Sequence, residues 1–378
     1  MNDIDREYLR LLKKTLEEGI KRPSRAGNVI SIFGEQIKFD LKKGFPILTT
    51  KKVFTKGVLY ELLWFLQRYT NYHQSMNIEY LYRNGVHIWD DDAYRWYKEW
   101  IEKHIIDKES QFYFTMPTND DTVRQKDGSY IHPQFQIWLE NDERKNDISF
   151  LKNLTQSEFN DLVLQKVEIN LKSNDEKYRF GDLGKVYGAQ WRMWGEESID
   201  QLGMIIDKLK TNPNDRRLLC TAYNPSYLDK VALPPCHVMF QFYARPLTEE
   251  EFKRYKGRKK NPPTYALSCM WTQRSCDLFL GVTFNIVSYA FLTHMVAKLV
   301  NMVPDMLIGS LGDCHIYEAH LDAVNEQLSR NGSDIYPHLI INGKQKTLED
   351  FEFEDFEIDD YYSDGVIRAP LMTGLEKK

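Results

Sequence analysis

Residues Leu233–Tyr243 read LPPCHVMFQFY, with Cys236 and His237 side by side behind two prolines and ahead of an apolar run. A thiolate at this place could add to an electrophilic carbon and later depart, because sulfur is both a strong nucleophile and a usable leaving group. The same stretch also fits a plain buried strand. Val238, Phe240 and Phe242 fall on one face, Met239, Gln241 and Tyr243 on the other, and cysteine is a common core residue. The prolines fix the approach to the strand. By itself the stretch leaves both readings open. Glu61 is a second conspicuous group, one carboxylate within VLYELLWFLQ. In an apolar helix it is costly unless partnered, so it is either an acid held for proton transfer or a solvent-facing glutamate.

Periodicity gives the elements that would position such groups. A helix is expected over Asp3–Glu18, with Leu9, Leu12 and Leu16 near one face, followed by a loosely alternating strand in VISIFGEQIKFDL. A buried helix is expected over about 57–67 and another over 198–209. RLLCTAYN, CHVMFQFYA and TYALSCMWTQR read as strands, and SYAFLTHMVAKLV lies in a long apolar helix over about 286–300. The order is α, then β, then α, with few βαβ repeats, which predicts an α+β sheet covered by helices. No GxGxxG or P-loop pattern supplies a dinucleotide or triphosphate cradle. The region 91–180 is more polar and mixes charges of both signs, so it is expected to be a peripheral insertion. The expected organisation is a catalytic domain in two parts, 1–90 and 181–378, around that insertion.

The 378 residues are 42% hydrophobic and carry a formal charge of −5, with a pI near 6.0. That balance does not suggest a nucleic-acid coat, but a few local arginines could still make an anion pocket. Five cysteines in so long a chain speak against a secreted disulfide framework, and no histidine or cysteine spacing marks a metal site. The start reads as a charged amphipathic helix, not a signal peptide. No apolar run is expected to cross a bilayer, and a soluble cytoplasmic protein is the expectation.

Several segments need a common explanation: GFPILTTKKV, ELLWFLQ, NGVHIWD, GDLGKVYG, DRR at 215–217, PPCH at 234–237, QRSCD at 273–277, Phe284–Asn285 and GDCHIY at 312–317. Together, in this order, they resemble thymidylate synthase and its relatives, the pyrimidine nucleotide hydroxymethylases. The resemblance covers Glu18–Trp89 and Gly181 to about Ala369. It implies a large mixed sheet packed by helices, dimerising through the sheet face. It also implies one-carbon transfer from 5,10-methylenetetrahydrofolate to C5 of dUMP, with no metal, membrane or DNA required.

The resemblance gives Cys236 the role of adding to C6 of the pyrimidine, which turns C5 into an enolate carbon. Arg25, Arg216, Arg217, Arg274 and Ser275, with Gln273 beside them, form the implied phosphate and substrate set. Several guanidinium forks match a dianionic phosphate. Arg216 and Arg217 are implied to come from the partner of a homodimer. The family usually follows the first of these arginines with Thr-Gly-Thr-Gly, whereas this chain has SRAGN. Asn285 would face O4 and N3–H of uracil, the alternative being a helix cap. Cytosine-specific relatives carry aspartate there, so dUMP is favoured over dCMP. His315 and Tyr317 would hold the sugar 3′-hydroxyl. Glu61 would organise water and move protons, Tyr187 would assist proton loss at C5, and His237 would order water. Trp89 would pack over the folate and nucleotide region, and Asp277 would accept a hydrogen bond from the pterin ring.

Thymidylate synthase chemistry ends with hydride delivery and makes dTMP and dihydrofolate. A hydroxymethylase lets water add and makes hydroxymethyl-dUMP and tetrahydrofolate. Thr272 stands where tyrosine is usual, Thr283 where proline is usual, and the tail GVIRAPLMTGLEKK is extended and charged. A looser lid would admit water. The synthase is the leading reading and the dUMP hydroxymethylase the alternative. A catalytically silent nucleotide- or RNA-binding relative is the remote third.

Overall fold

The computed structural model describes residues 1–67, 76–105, 112–117, 135–138, 148–171, 176–257 and 261–372. The chain divides into two compact units. One comprises Met1–Thr70, Tyr187–Ser226 and Pro234–Lys378, the other Asn71–Val186 and Tyr227–Leu233.

The first unit opens with α1 (Asp3–Glu18), β1 (Ile20–Ser24), β2 (Gly27–Asp40) and α2 (Thr55–Leu66). The second unit then contributes α3 (Glu79–Arg83), α4 (Asp90–His104), β3 (Phe112–Pro117), β4 (Phe135–Trp138), α5 (Ile148–Asn153), α6 (Gln156–Leu164), β5 (Glu168–Leu171) and β6 (Lys177–Arg179). The first unit resumes with α7 (Tyr187–Arg192), α8 (Gln201–Thr211), β7 (Leu219–Thr221), β8 (His237–Pro246), α9 (Glu249–Lys253) and β9 (Tyr265–Asp277). It closes with α10 (Gly281–Leu299), β10 (Val303–Tyr317), α11 (Leu321–Ser329), β11 (His338–Ile341) and β12 (Phe356–Asp359).

Among the described residues, the first unit holds a six-stranded sheet in the order β1-β2-β10-β9-β8-β7. β9 and β10 run parallel, and every other neighbouring pair is antiparallel. Parallel neighbours need a crossover, and α10 supplies it. Val282, Ile286, Tyr289, Phe291, Met295 and Val296 are all buried, so this helix is apolar around its circumference and packs against β9, β10 and α2. Its 19 residues meet the length and hydropathy of a membrane span, against the expectation that no run would. Burial of 72% of the qualifying window accounts for that composition as a core crossover helix.

Helix α1 covers the expected span and is capped by Asn2, whose side chain accepts from the Ile4 and Asp5 N–H groups. Fully buried Asp5 accepts from the N–H and hydroxyl groups of both Thr49 and Thr50, at 2.7–3.1 Å. This fixes the loop between β2 and α2. In the second unit, β3, β4, β5 and β6 form an antiparallel sheet, and Tyr97, Phe112, Phe114, Phe159 and Phe180 are buried within that unit. The polar 91–180 segment therefore carries an apolar core of its own.

Candidate active site

Cys236 sits one residue before β8, and its backbone is held at both its N–H and its carbonyl. Its N–H donates to the Tyr187 hydroxyl at 2.8 Å, and its carbonyl accepts from the Arg274 N–H at 2.8 Å. The Arg274 guanidinium donates to the carbonyls of Pro234 and Pro235, both at 2.8 Å. Arg274 thus ties the two prolines and the cysteine of β8 to β9. Cys236 is half-buried, while Cys220, Cys269, Cys276 and Cys314 are buried. Burial pushes the Cys220 thiol well up and Cys269 to about 12. The Cys314 thiol and burial together hold Cys276 far above its ordinary value. Those groups stay protonated and inert.

The residue after Cys236 departs from simple alternation. The β8–β9 register shifts between His237 and Met239, a bulge that turns His237 to the buried side already occupied by Phe240 and Phe242. The His237 ring stacks on Tyr187 at 4.1 Å, and its Nδ1 lies 2.8 Å from the Tyr289 hydroxyl. Burial lowers its pKa to about 3, so it is neutral near pH 7. Burial raises the Tyr187 phenol, with Cys236 and Glu61 contributing in the same direction. Glu61 on α2 and Tyr187 on α7 come together because Gly188 lets the helices touch. A Cβ there would lie 2.4 Å from the Phe65 carbonyl oxygen.

At the last residue of β9, three positions beyond Arg274, the carboxylate of Asp277 accepts from the N–H groups of Phe279 and Leu280, at 3.0 and 3.3 Å. These bonds satisfy donors at the entry to α10, and Thr283 adds a bond to the Leu280 carbonyl at 2.8 Å. Helix α10 therefore starts five residues before the expected 286, and Asn285 lies inside it. The helix-cap alternative for Asn285 is excluded, since Leu280 holds that position. Among the described residues the Asn285 amide has no recorded hydrogen-bond partner.

β10 runs beside this end of β9, pairing Asp313 with Ser275 and His315 with Asp277. His315 and Tyr317 meet edge to face at 5.2 Å. The Tyr317 phenol is raised by burial and by the charges of Asp277 and Cys236, and lowered by Arg25. One electrostatic neighbourhood thus joins Tyr317, Asp277, Cys236 and Arg25. Gln273 is buried, its oxygen accepting from the Trp271 indole at 3.2 Å and its amide donating to the Ser275 carbonyl at 3.0 Å. Those bonds engage it within β9 and brace Ser275.

Arg216 and Arg217 are exposed between α8 and β7. Arg217 forks onto Asp215 at 3.0 and 3.1 Å. Trp89 is buried in the second unit, at the N-cap of α4. Two side chains that the sequence reading passed over belong beside Asp277. Lys51 is buried, donates to the Phe279 carbonyl and lies 3.8 Å from the centroid of that ring. Burial lowers its pKa to about 7 against the opposing charge of Asp277. His320 is fully buried, with Nδ1 3.9 Å from Asp277 Oδ1. Nothing in TTKK separates Lys51 from Lys52, and nothing in IYEAH marks its histidine as internal. Among the described residues no group of three or more His, Cys, Asp or Glu side chains is placed to hold a metal.

A half-buried thiol fixed at a sheet entrance, with the Tyr187 phenol and the Glu61 carboxylate in its electrostatic surroundings, has the make-up of an α+β enzyme site. The comparisons say which. The chain belongs to the thymidylate synthase family, whose model, described as thymidylate synthase, matches residues 6–373. It is 37% identical over 370 residues to a thymidylate synthase of Listeria monocytogenes serotype 4b (strain CLIP80459), covering 97% of this chain and 99% of the relative. It is 36% identical over 370 residues to that of Listeria innocua serovar 6a, with the same coverage. The mixed sheet with its packed helices is the fold of this family, and the chain is a folate-dependent methyltransferase acting on dUMP.

Proposed function

We propose that Cys236 adds to C6 of dUMP, that 5,10-methylenetetrahydrofolate is the one-carbon donor, and that the products are dTMP and dihydrofolate. The observation that carries this reading is the Cys236 backbone, bound at its N–H by Tyr187 and at its carbonyl by Arg274, in a half-buried residue while the other four cysteines are buried. A nucleophile held in one position loses little freedom on reaching its target.

The open amide of Asn285 suits the O4 and N3–H edge of uracil. Glu61 orders water near C4 and C5. Tyr187, held protonated, orients that water and leaves the C5 proton to it. His237, neutral and locked to Tyr289, is a hydrogen-bonding wall and not a base. His315 and Tyr317 hold the sugar, while Arg25, Arg274 and Ser275 serve the phosphate. The folate supplies the methylene carbon and the hydride. Asp277, Lys51 and His320 fit it, because a carboxylate, an ammonium and a buried unpartnered nitrogen converge where a polar ring and its acidic tail need partners.

The assembly we propose is a homodimer through the sheet face, with Arg216 and Arg217 serving the neighbour's phosphate. Ile20, Phe33, Leu219 and Tyr243, on β1, β2, β7 and β8, are large apolar side chains left exposed, Phe33 at 87%. The tail is docked and not loose, which favours the synthase over the hydroxymethylase. Residues 364–370 are bound down, by Asp364 N–H to the Thr49 carbonyl at 2.8 Å and by His320 to the Pro370 carbonyl at 2.8 Å. A docked tail excludes the competing water.

Mixing enzyme, dUMP and methylenetetrahydrofolate tests the product. Near-ultraviolet absorbance should rise as dihydrofolate forms, and the nucleotide should have the mass of dTMP. Turnover without that rise, yielding a nucleotide heavier by one oxygen, would establish the hydroxymethylase instead.

A further inference from the structure

His320 ends the 3-10 turn Glu318–His320 that joins β10 to α11. Its ring packs against Phe279 at 5.5 Å and Tyr317 at 5.4 Å, and the residue is fully buried. Both nitrogens are thereby aimed at fixed neighbours. Nε2 is 2.8 Å from the carbonyl of Pro370 in the C-terminal tail. A carbonyl only accepts, so the shared proton is on Nε2. In the neutral ring Nδ1 then presents a lone pair, and it is a buried atom without a hydrogen-bond partner. Its polar neighbour is Asp277 Oδ1 at 3.9 Å, an acceptor that already takes the Phe279 and Leu280 N–H groups.

Nδ1 thus faces an acceptor and no donor, and the unmet demand at this gap is its own. Across 3.9 Å, two hydrogen bonds of ordinary length meet at about 85°. One nitrogen carrying two hydrogens can serve both.

The tail is fixed at two points. Upstream, the Gly365 carbonyl accepts from the Lys52 N–H and from Arg330, both at 2.9 Å, and Arg330 also donates to the Thr50 carbonyl at 3.0 Å. Downstream, Pro370 is held by His320, and the Met372 methyl lies over Gly27 in the turn that carries Arg25. Releasing His320 would loosen the segment beyond the buried Ile367 while leaving the upstream anchor in place.

We propose that His320 is a positioning residue that couples the docked tail to folate recognition. Nε2–H holds Pro370, while Nδ1 and Asp277 share an amino donor of the bound folate ring. This rests on the reading of Asp277 as the carboxylate that faces that ring. Binding of the ring satisfies Nδ1, fixes the imidazole and so tightens its hold on the tail; a docked tail in turn presets the imidazole for the ring.

His320→Phe keeps the packing against Phe279 and Tyr317 and removes both nitrogens. It should raise the KM for methylenetetrahydrofolate about tenfold, the worth of one buried hydrogen bond of this kind, and leave the KM for dUMP unchanged. Trypsin cleavage after Arg368 should be suppressed by dUMP plus folate in the unchanged enzyme and not in the phenylalanine variant. His320→Gln, which retains one donor and one acceptor, should recover part of both effects. A His320→Phe enzyme with the original folate KM and full protection overturns the proposal. If that variant does not fold, truncation after Ala369 decides. Removing Pro370 should itself raise the folate KM, and His320→Gln should raise it by a smaller factor in the truncated chain than in the full chain; equal factors in the two backgrounds overturn the coupling. An unchanged enzyme that does not turn over dUMP with folate defeats the underlying function instead.

Discussion

Removing the Cys236 sulfur separates binding from chemistry. Cys236→Ala leaves Tyr187, Arg274 and Asn285 in place, so dUMP affinity measured by calorimetry should persist while turnover disappears. Fluoro-dUMP with folate should give a single mass adduct, located at Cys236 and absent in the variant. Asn285→Asp changes the donor at the pyrimidine edge into an acceptor. It should abolish dUMP turnover and raise relative dCMP turnover, a reversal on the scale of a lost buried hydrogen bond, ~10²-fold or more. Equal use of both bases by the unchanged enzyme would remove Asn285 from the reading. Two histidines set an acid limit. Burial holds His237 near 3 and His294 near 4, below the unfolded value. Between those values and about 6.5 the unfolded chain binds the extra protons, so stability falls as pH drops. From pH 6.5 to 5 each site should cost about 2 kcal/mol. Urea midpoints should show this, and His294→Gln should remove one proton's worth of the slope.

Among the elements, the meeting of α2 with α7 is the most demanding. Gly188 stands where a Cβ would come within 2.8 Å of three Phe65 backbone atoms. Gly188→Ala must push the helices apart, costing about 3 kcal/mol and separating Glu61 from Tyr187. A thermal melt should fall by several degrees, and activity should fall further than stability explains. The elements also show what a sequence carries. Helix α1 was legible in full because its cap, periodicity and charge are local. The start of α10 was not, since the turn at 281–285 depends on Asp277 accepting from Phe279 and Leu280. The bulge was invisible too: HVMFQF alternates cleanly, and only the register with β9 brings His237 inward. The cysteine, asparagine and aspartate of the candidate site are named from motif order alone. Lys51 and His320 are not, because burial is a property of the whole fold. The Asp5 anchor, bonded to residues 44 and 45 positions away, leaves no local trace either.

At the scale of the molecule, the shared-site proposal makes a demand on assembly. Inactive Cys236→Ala chains mixed with inactive Arg216→Ala chains should regain activity after subunit exchange, because one hybrid site receives both intact residues. A monomer by light scattering, or no recovery after verified exchange, would remove the shared site.

The sheet also imposes an order on biosynthesis. Ile37 on β2 pairs with Gly309 on β10, and Val29 with Tyr317. A growing chain therefore displays Ile30, Ile37 and Phe39 on a strand whose inner neighbour does not yet exist. Residues 71–186, by contrast, have nearly all of their own unit in hand well before then. The first unit closes late, and β2 waits for β10 as an open edge. A ribosome paused before residue 303 should hold a protease-resistant second unit beside an unfolded N-terminal segment, which makes that segment the one to seek in chaperone-bound nascent chains.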